Sequence, residues 1–265
     1  MSGAALVTGG GSGLGRELCV ALAARGQSVV VADLDRERAA ETVALLTGSG
    51  HRAEVLDVAD ADSWSDLRAR LDGQGVSIAL LANNAGVASG GEMAQVSRAE
   101  WDRVMAINLT GVHLGVATFA PAMAAAGRGQ ILNVASFAGI AGTPLLGAYG
   151  VSKAAVIALS ESLRVEMAAR GVSVHVLCPS FFQTRLLESA GAGTDPRVLG
   201  FARRQMQKGG LTATDVARYT LAQMDRGRFM ILPHADARRY WWLKRLLPEF
   251  YFRQLLKVWR NASRR

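Results

Sequence analysis

A phenol and an ammonium stand four residues apart in Tyr149-Gly150-Val151-Ser152-Lys153, a spacing that puts both side chains on one helix face with Cβ atoms about 5–6 Å apart. Held there, the ammonium stabilises the phenolate. A tyrosine ordinarily titrates near pH ~10, and each unit of downward shift favours the ionised form by roughly 1.4 kcal/mol. The pair is therefore a candidate base near neutrality. Ser136 follows the apolar run Gln130-Ile131-Leu132-Asn133-Val134-Ala135 and offers a hydroxyl to an oxygen held beside the phenol. Serine, tyrosine and lysine can therefore meet at one mouth. No His/Cys/Asp cluster has zinc-ligand spacing, so no metal is expected. A Tyr-x-x-x-Lys spacing also arises by chance in many helices, and its weight depends on the elements that carry it.

Those elements read as alternating strands and helices. Ala4-Ala5-Leu6-Val7 is a short buried-strand pattern, Thr8-Gly9-Gly10-Gly11-Ser12-Gly13-Leu14-Gly15 a glycine-rich turn, and Arg16 to Arg25 a helical pattern. Glycines at such a turn let the backbone approach a pyrophosphate, whose charge a helix N-terminus favours. Further strands are expected at Ser28 to Ala32, Ala53 to Leu56, Ser77 to Ala82, Gln130 to Ala135, Val172 to Leu177 and Phe229 to Leu232. Helices are expected from Arg36 to about Leu46, after the capping pattern Ser97-Arg98-Ala99-Glu100, through Tyr149 to about Arg170, and after Thr212-Ala213-Thr214-Asp215. Open α/β sheets bind ligands at the carboxyl ends of their strands, which is where Ser136 falls. Asp33 ends the second strand about twenty residues beyond the glycine loop, where a carboxylate accepts hydrogen bonds from an adenosine ribose and repels a 2′-phosphate. This favours NAD, with Arg36 as the side chain able to swing towards a 2′-phosphate. Asn108 lies in an apolar helix, costs helix propensity and needs hydrogen-bond partners. Trp101 and His113 are read as packing residues. Cys19 and Cys178 are read likewise, unpaired, as suits a reducing cytoplasm.

These motifs resemble the short-chain dehydrogenase/reductase family over residues 3–233. Ser136 lies thirteen positions before Tyr149, as in that family, and Gly9, Gly13 and Gly15 occupy the glycine places of its T-G-x-x-x-G-x-G turn. Asn83-Asn84-Ala85-Gly86 matches its N-N-A-G motif. The resemblance implies a Rossmann-like, doubly wound α/β domain with a mostly parallel, seven-stranded sheet. It implies NAD held by Gly9, Ser12, Gly13, Leu14, Gly15, Asp33, Asp57, Val58, Asn84, Gly86, Phe182 and Thr184 together with Tyr149 and Lys153. The catalytic set it implies is Asn108, Ser136, Tyr149 and Lys153, with Asn108 bending its helix and linking the lysine to a proton relay. The implied reaction interconverts a secondary alcohol and a ketone by hydride transfer. The alternatives are NADP-dependent ketone reduction and a non-catalytic NAD(H) sensor or scaffold. NADP-preferring relatives place a base where Ser12 or Leu34 stands, and both are uncharged here. Ser180 departs from the family's P-G-x-x-x-T pattern. Residues 185–211, with Gly191, Gly193, Asp195-Pro196 and Gly209-Gly210, fall where the family has its substrate lid. A homodimer or homotetramer is implied. The apolar Leu145, Leu146, Phe181 and Phe182 point to a bulky lipophilic substrate.

The chain has 265 residues, half of them apolar, enough for one α/β domain, taken as residues 1–237. No signal segment precedes the first strand and no apolar run is read as spanning a bilayer. The net charge of +8 belongs wholly to residues 238–265, which hold nine Lys/Arg and only Glu249 as an acid. Basicity confined to an extension does not make a nucleic-acid-binding body. Leu243, Leu246, Leu247, Phe250, Tyr251, Leu255, Val258 and Trp259 form one helical stripe, with Arg253, Lys257, Arg260 and Arg264 on another side and Pro248 dividing the stripe into two helices. A basic, tryptophan-bearing amphipathic helix suits a membrane surface. The same stripe equally suits packing on the pocket or on a neighbouring subunit.

Overall fold

A computed structural model describes residues 3–191, 194–207 and 210–262; Gly193, Gly209 and Arg264 lie outside the described residues. In chain order the first half comprises β1 (Ala4–Thr8), α1 (Gly13–Ala23), β2 (Val29–Asp33), α2 (Arg36–Ala44), β3 (Arg52–Val55), α3 (Ala61–Gly73) and β4 (Ile78–Asn83). Next come α4 (Arg98–Met105), one π-helical turn (Ala106–Thr110), α5 (Gly111–Ala125), β5 (Gly129–Val134), α6 (Ala138–Ala141), α7 (Gly147–Ala168) and β6 (Val172–Leu177). A 3-10 turn (Arg185–Ser189), α8 (Pro196–Gln207), α9 (Ala213–Asp225), β7 (Met230–Ile231), α10 (Ala235–Leu246) and α11 (Pro248–Ala262) complete it. The seven strands form one sheet in the order β3-β2-β1-β4-β5-β6-β7. Every adjacent pair is parallel.

Alternation along the strands splits the core into two layers. Ala5, Val7, Val29 and Val31 face α1 and α9 through Leu18, Leu22, Val216 and Leu221. Ala4, Leu6, Val30 and Ala32 face the other way, onto Trp64 and Leu67 of α3, Phe119 and Met123 of α5, and Leu163 of α7. A buried amide chain ties the second layer to the sheet. Asn83 donates to Asn133 at 2.9 Å, Asn133 to Ser160 at 3.0 Å, and Ser160 to the Val156 carbonyl at 2.7 Å. It links β4, β5 and α7 and so fixes where α7 lies.

Several expectations need correction. The capping pattern at Ser97 is half made: its hydroxyl accepts from the Glu100 amide, while the Glu100 carboxylate turns to Arg103. Arg98–Ala125, counted as one helical stretch, is long and apolar enough by composition to cross a membrane, contrary to the expectation that no run is. Its Val104, Val112, Phe119 and Met123 are buried, and its α5 part packs in the layer described above, the place of a core helix. His113 is exposed on α5 and so is not a packing residue, while Trp101 is half-buried. The lid region expected to be irregular contains the twelve-residue α8. Phe229 to Leu232 shortens to a two-residue strand. Cys19 and Cys178 are free and buried, as expected.

Candidate active site

At the carboxyl ends of the strands lies a cavity of about 1690 Å³. One end of it begins at the turn between β1 and α1. A Cβ on Gly15 would sit 2.1 Å from the Gly9 carbonyl oxygen, and one on Gly9 would sit 2.9 Å from the Ala85 Cα. Only glycine permits that approach. Ser12 precedes α1 without making a side-chain cap, which leaves the first amides of the helix available to an anion. Gly9, Ser12, Gly13 and Leu14 line the cavity, whereas Gly15 sits behind them. Thr8 braces the turn from below, its hydroxyl accepting from the Asn84 and Ala85 amides at 3.0 Å each, while the Asn84 side chain donates to the Thr8 carbonyl.

Asp33 closes β2 at the cavity wall, its carboxylate accepting from the Gly11 amide at 2.8 Å and the Asp35 amide at 3.1 Å. Asp57, Val58, Asn84 and Gly86 line the same wall. These features fit a dinucleotide: a bare backbone turn, an uncapped helix start and a carboxylate at the ribose end. The side chain that reaches this wall is Arg38 and not Arg36. Arg38 pairs with Asp35 at 3.1 Å, a placement decided by the helical phase of α2 rather than by proximity in sequence to Asp33.

Ser136, Tyr149 and Lys153 line the same cavity. Ser136 lies just beyond β5 and accepts from the Ala138 amide, while Tyr149 and Lys153 stand one turn apart on α7. Lys153 Nζ lies 6.0 Å from the Tyr149 ring centroid and donates to the Val134 carbonyl at 2.9 Å. The expected lowering of the phenol is not what this arrangement gives. Burial pushes Tyr149 above its ordinary value, and the hydrogen bond with Ser136 offsets part of that rise. Burial also pulls Lys153 down, to about 8. Desolvation is the leading cause for both groups.

Asn108 is fully buried in the π turn and does not line the cavity. Its side chain clasps Val87, accepting from the amide at 2.8 Å and donating to the carbonyl at 3.0 Å. It also donates to Ser152 Oγ at 3.1 Å, and that hydroxyl donates to the Tyr149 carbonyl at 2.8 Å. Ser152 is thus the link between Asn108 and the helix turn bearing Tyr149, a role with no signal in the sequence beyond its place between the two. A Cβ on Gly86 would meet Asn108 Oδ1 at 3.1 Å and Lys153 Nζ at 3.3 Å, so the three positions crowd together.

Phe182 and Thr184 line the cavity after β6. The Ser180 amide donates to His234 Nδ1 at 3.2 Å. Leu145 is the one non-glycine residue with positive φ among the described residues, at 65°. Ser180 therefore holds its loop without the left-handed backbone that glycine alone takes readily. The remaining walls come from Leu145, Leu146 and Phe181, from Val198 and Phe201 of α8, and from Leu255, Val258 and Trp259 of α11. The segment after β6 is moored at its 3-10 turn. Ser189 accepts from the Ala88 amide at 3.0 Å, and Arg103, which holds the Glu100 carboxyl below its ordinary value, donates to the Ala88 and Ser189 carbonyls.

The family model described as short chain dehydrogenase matches residues 3–195. The protein of Mycobacterium tuberculosis named "Probable oxidoreductase EphD" is 35% identical over 208 residues, 76% of this chain but only 35% of that protein. The 2-(S)-hydroxypropyl-CoM dehydrogenase 3 of Xanthobacter autotrophicus is 31% identical over 226 residues, 84% of this chain and 82% of that one. A short-chain dehydrogenase/reductase of Burkholderia phymatum, solved in complex with NAD, superposes with a TM-score of 0.84 at 33% identity, covering 94% of each chain. A short-chain dehydrogenase of Sphingobium yanoikuyae, solved with NADPH, gives 0.75 at 27% identity over 89% of this chain and 90% of that one.

Proposed function

The chain belongs to the short-chain dehydrogenase/reductase family, and from that membership we propose that it is an NAD-dependent oxidoreductase interconverting a bulky, lipophilic secondary alcohol and its ketone. The observation that carries the reading is that Ser136, Tyr149 and Lys153 line the same cavity as the glycine turn and Asp33. Bound against that turn, a nicotinamide dinucleotide supplies or accepts the hydride. Ser136 donates a hydrogen bond to the substrate oxygen, and Tyr149 exchanges a proton with the same atom. Lys153 Nζ stands behind the phenol and favours its ionised form once the proton has left. Asn108, through Ser152 and Val87, holds the phenol and the cofactor-side loop in register. Because burial keeps Tyr149 protonated at neutral pH, its resting state serves carbonyl reduction directly. Alcohol oxidation needs the phenolate and is favoured at higher pH. Apolar side chains from α8, α11 and the β6–α8 segment support a lipophilic substrate. Family membership further supports a homodimer or homotetramer.

The preference for NAD rests on Asp33, which repels a 2′-phosphate, and Asp35 supports it by engaging Arg38. A screen of secondary alcohols with NAD and with NADP, followed by NADH or NADPH absorbance, tests both parts. The expected result is a higher kcat/KM with NAD and a narrowing of that gap in Asp33→Ala. An equal or higher value with NADP in the wild type overturns the cofactor assignment, and turnover of no secondary alcohol or ketone with either cofactor overturns the activity.

A further inference from the structure

The hairpin of α10 and α11 leaves an unusual surface. Trp242, Leu246, Leu247, Phe250, Phe252 and Leu256 are all exposed, Leu246 by 67% and Trp242 by 53%. Single exposed apolar residues are ordinary, but a cluster on one hairpin is not. Arg239, Arg245, Arg253 and Lys257 are exposed among them, and Glu249 is the lone acid of residues 238–265. The same hairpin reaches the cavity: Val258 is 65% exposed and lines it, as does the exposed Phe201 of α8.

Three covers suit such a face, and charge selects among them. A second copy seated about a twofold axis sets the same patch against itself, bringing two segments of net +8 together. A nucleic acid satisfies the cations but leaves the leucines and phenylalanines facing a polyanion. An anionic bilayer meets both needs, with the cations at the headgroups and the tryptophan, phenylalanine and leucine side chains at the acyl boundary.

We propose that α10 and α11 dock this protein on an anionic lipid surface, with the rim between α8 and α11 turned to the bilayer so that a lipophilic substrate enters the cavity from the lipid phase. The entry route rests on the cavity being the substrate site; the docking does not. The test is flotation of the full chain with vesicles of phosphatidylcholine alone and of phosphatidylcholine mixed with phosphatidylserine. Two double variants accompany the wild type, Arg253→Glu/Lys257→Glu and Leu246→Ser/Phe250→Ser, each checked for NADH binding and for molar mass by light scattering.

The wild type is expected to float with the anionic vesicles only. Each variant should lose about tenfold or more of that partitioning, with NADH binding and mass unchanged. A wild type that stays unbound at low salt, or variants that float as it does, overturn the proposal. So does a fall in molar mass on Leu246→Ser/Phe250→Ser, which makes the face a subunit interface, or tight retention on RNA or DNA with no vesicle binding. Flotation needs no turnover, so a failed alcohol screen beside intact flotation strikes the dehydrogenase reading alone.

Discussion

Tyr149 is held in place by groups that do not line the cavity. Ser152 donates to its carbonyl and Asn108 holds Ser152, so the phenol is aimed from behind. Tyr149→Phe removes the exchangeable proton and keeps the ring. Turnover should fall by about 10²–10⁴-fold while NADH affinity, read by fluorescence titration, stays within about twofold. Wild-type kcat in this variant removes Tyr149 from the chemistry. Lys153 makes a prediction about stability. Its folded value is pulled from 10.5 to about 8 by burial, so between those limits the unfolded chain binds more protons and stability rises with pH. The gain is about 3 kcal/mol across that window. Measured without cofactor, the urea midpoint of the wild type should rise relative to that of Lys153→Met as pH rises through it, because the variant lacks the term. Parallel midpoints contradict the burial argument. Glycine spacing, the acid after β2 and the Ser-Tyr-Lys spacing were legible in the sequence because each is a local pattern. Arg38 was not, since the choice between it and Arg36 is made by the phase of α2.

At the scale of elements, α6 is the one to watch. It is four residues long, begins two residues after Ser136, and has carbonyls with no partner of their own helix. The extension supplies partners: Lys244 Nζ donates to the Ile140 carbonyl and Tyr251 Oη to the Ala141 carbonyl at 2.8 Å. Tyr251→Phe should destabilise the protein by about 1–2 kcal/mol, the cost of a buried acceptor left unmet. The check is a lower urea midpoint at unchanged m; an unchanged midpoint denies the cap any weight. Strands and most helices were legible from apolar runs and caps, as at Val172–Leu177 and Thr212–Asp215. The missed helix α8 carries its own start signal, Asp195 accepting from the Arg197 amide at 2.8 Å with Pro196 in the first turn. Gly200 and a burial pattern with only Ala202 inside hid it, because its apolar side faces a cavity and not a core. The irregular turn at Asn108 came only from the resemblance: an asparagine in an apolar stretch signals a need for partners, not where they lie.

Across the whole molecule, the cavity is assembled from segments more than two hundred residues apart, from Gly9 to Trp259. No local pattern encodes such a wall, and the sequence left the extension open between pocket, subunit and membrane. The described residues put Leu255, Val258 and Trp259 on the cavity, and Leu255→Ala/Val258→Ala should raise KM for large lipophilic substrates severalfold while leaving small ones within about twofold. Equal effects on both classes mean that these side chains act on folding rather than on fit. The clasp of Lys244 and Tyr251 on α6 carries a thermodynamic obligation as well. Whatever settles on α10 and α11 and favours the clasped state also favours one arrangement of the loop that begins at Ser136. By reciprocity, a ligand that selects that arrangement must tighten the surface contact by the same factor as the contact tightens the ligand. Occupancy at one end of the molecule is then readable as affinity at the other.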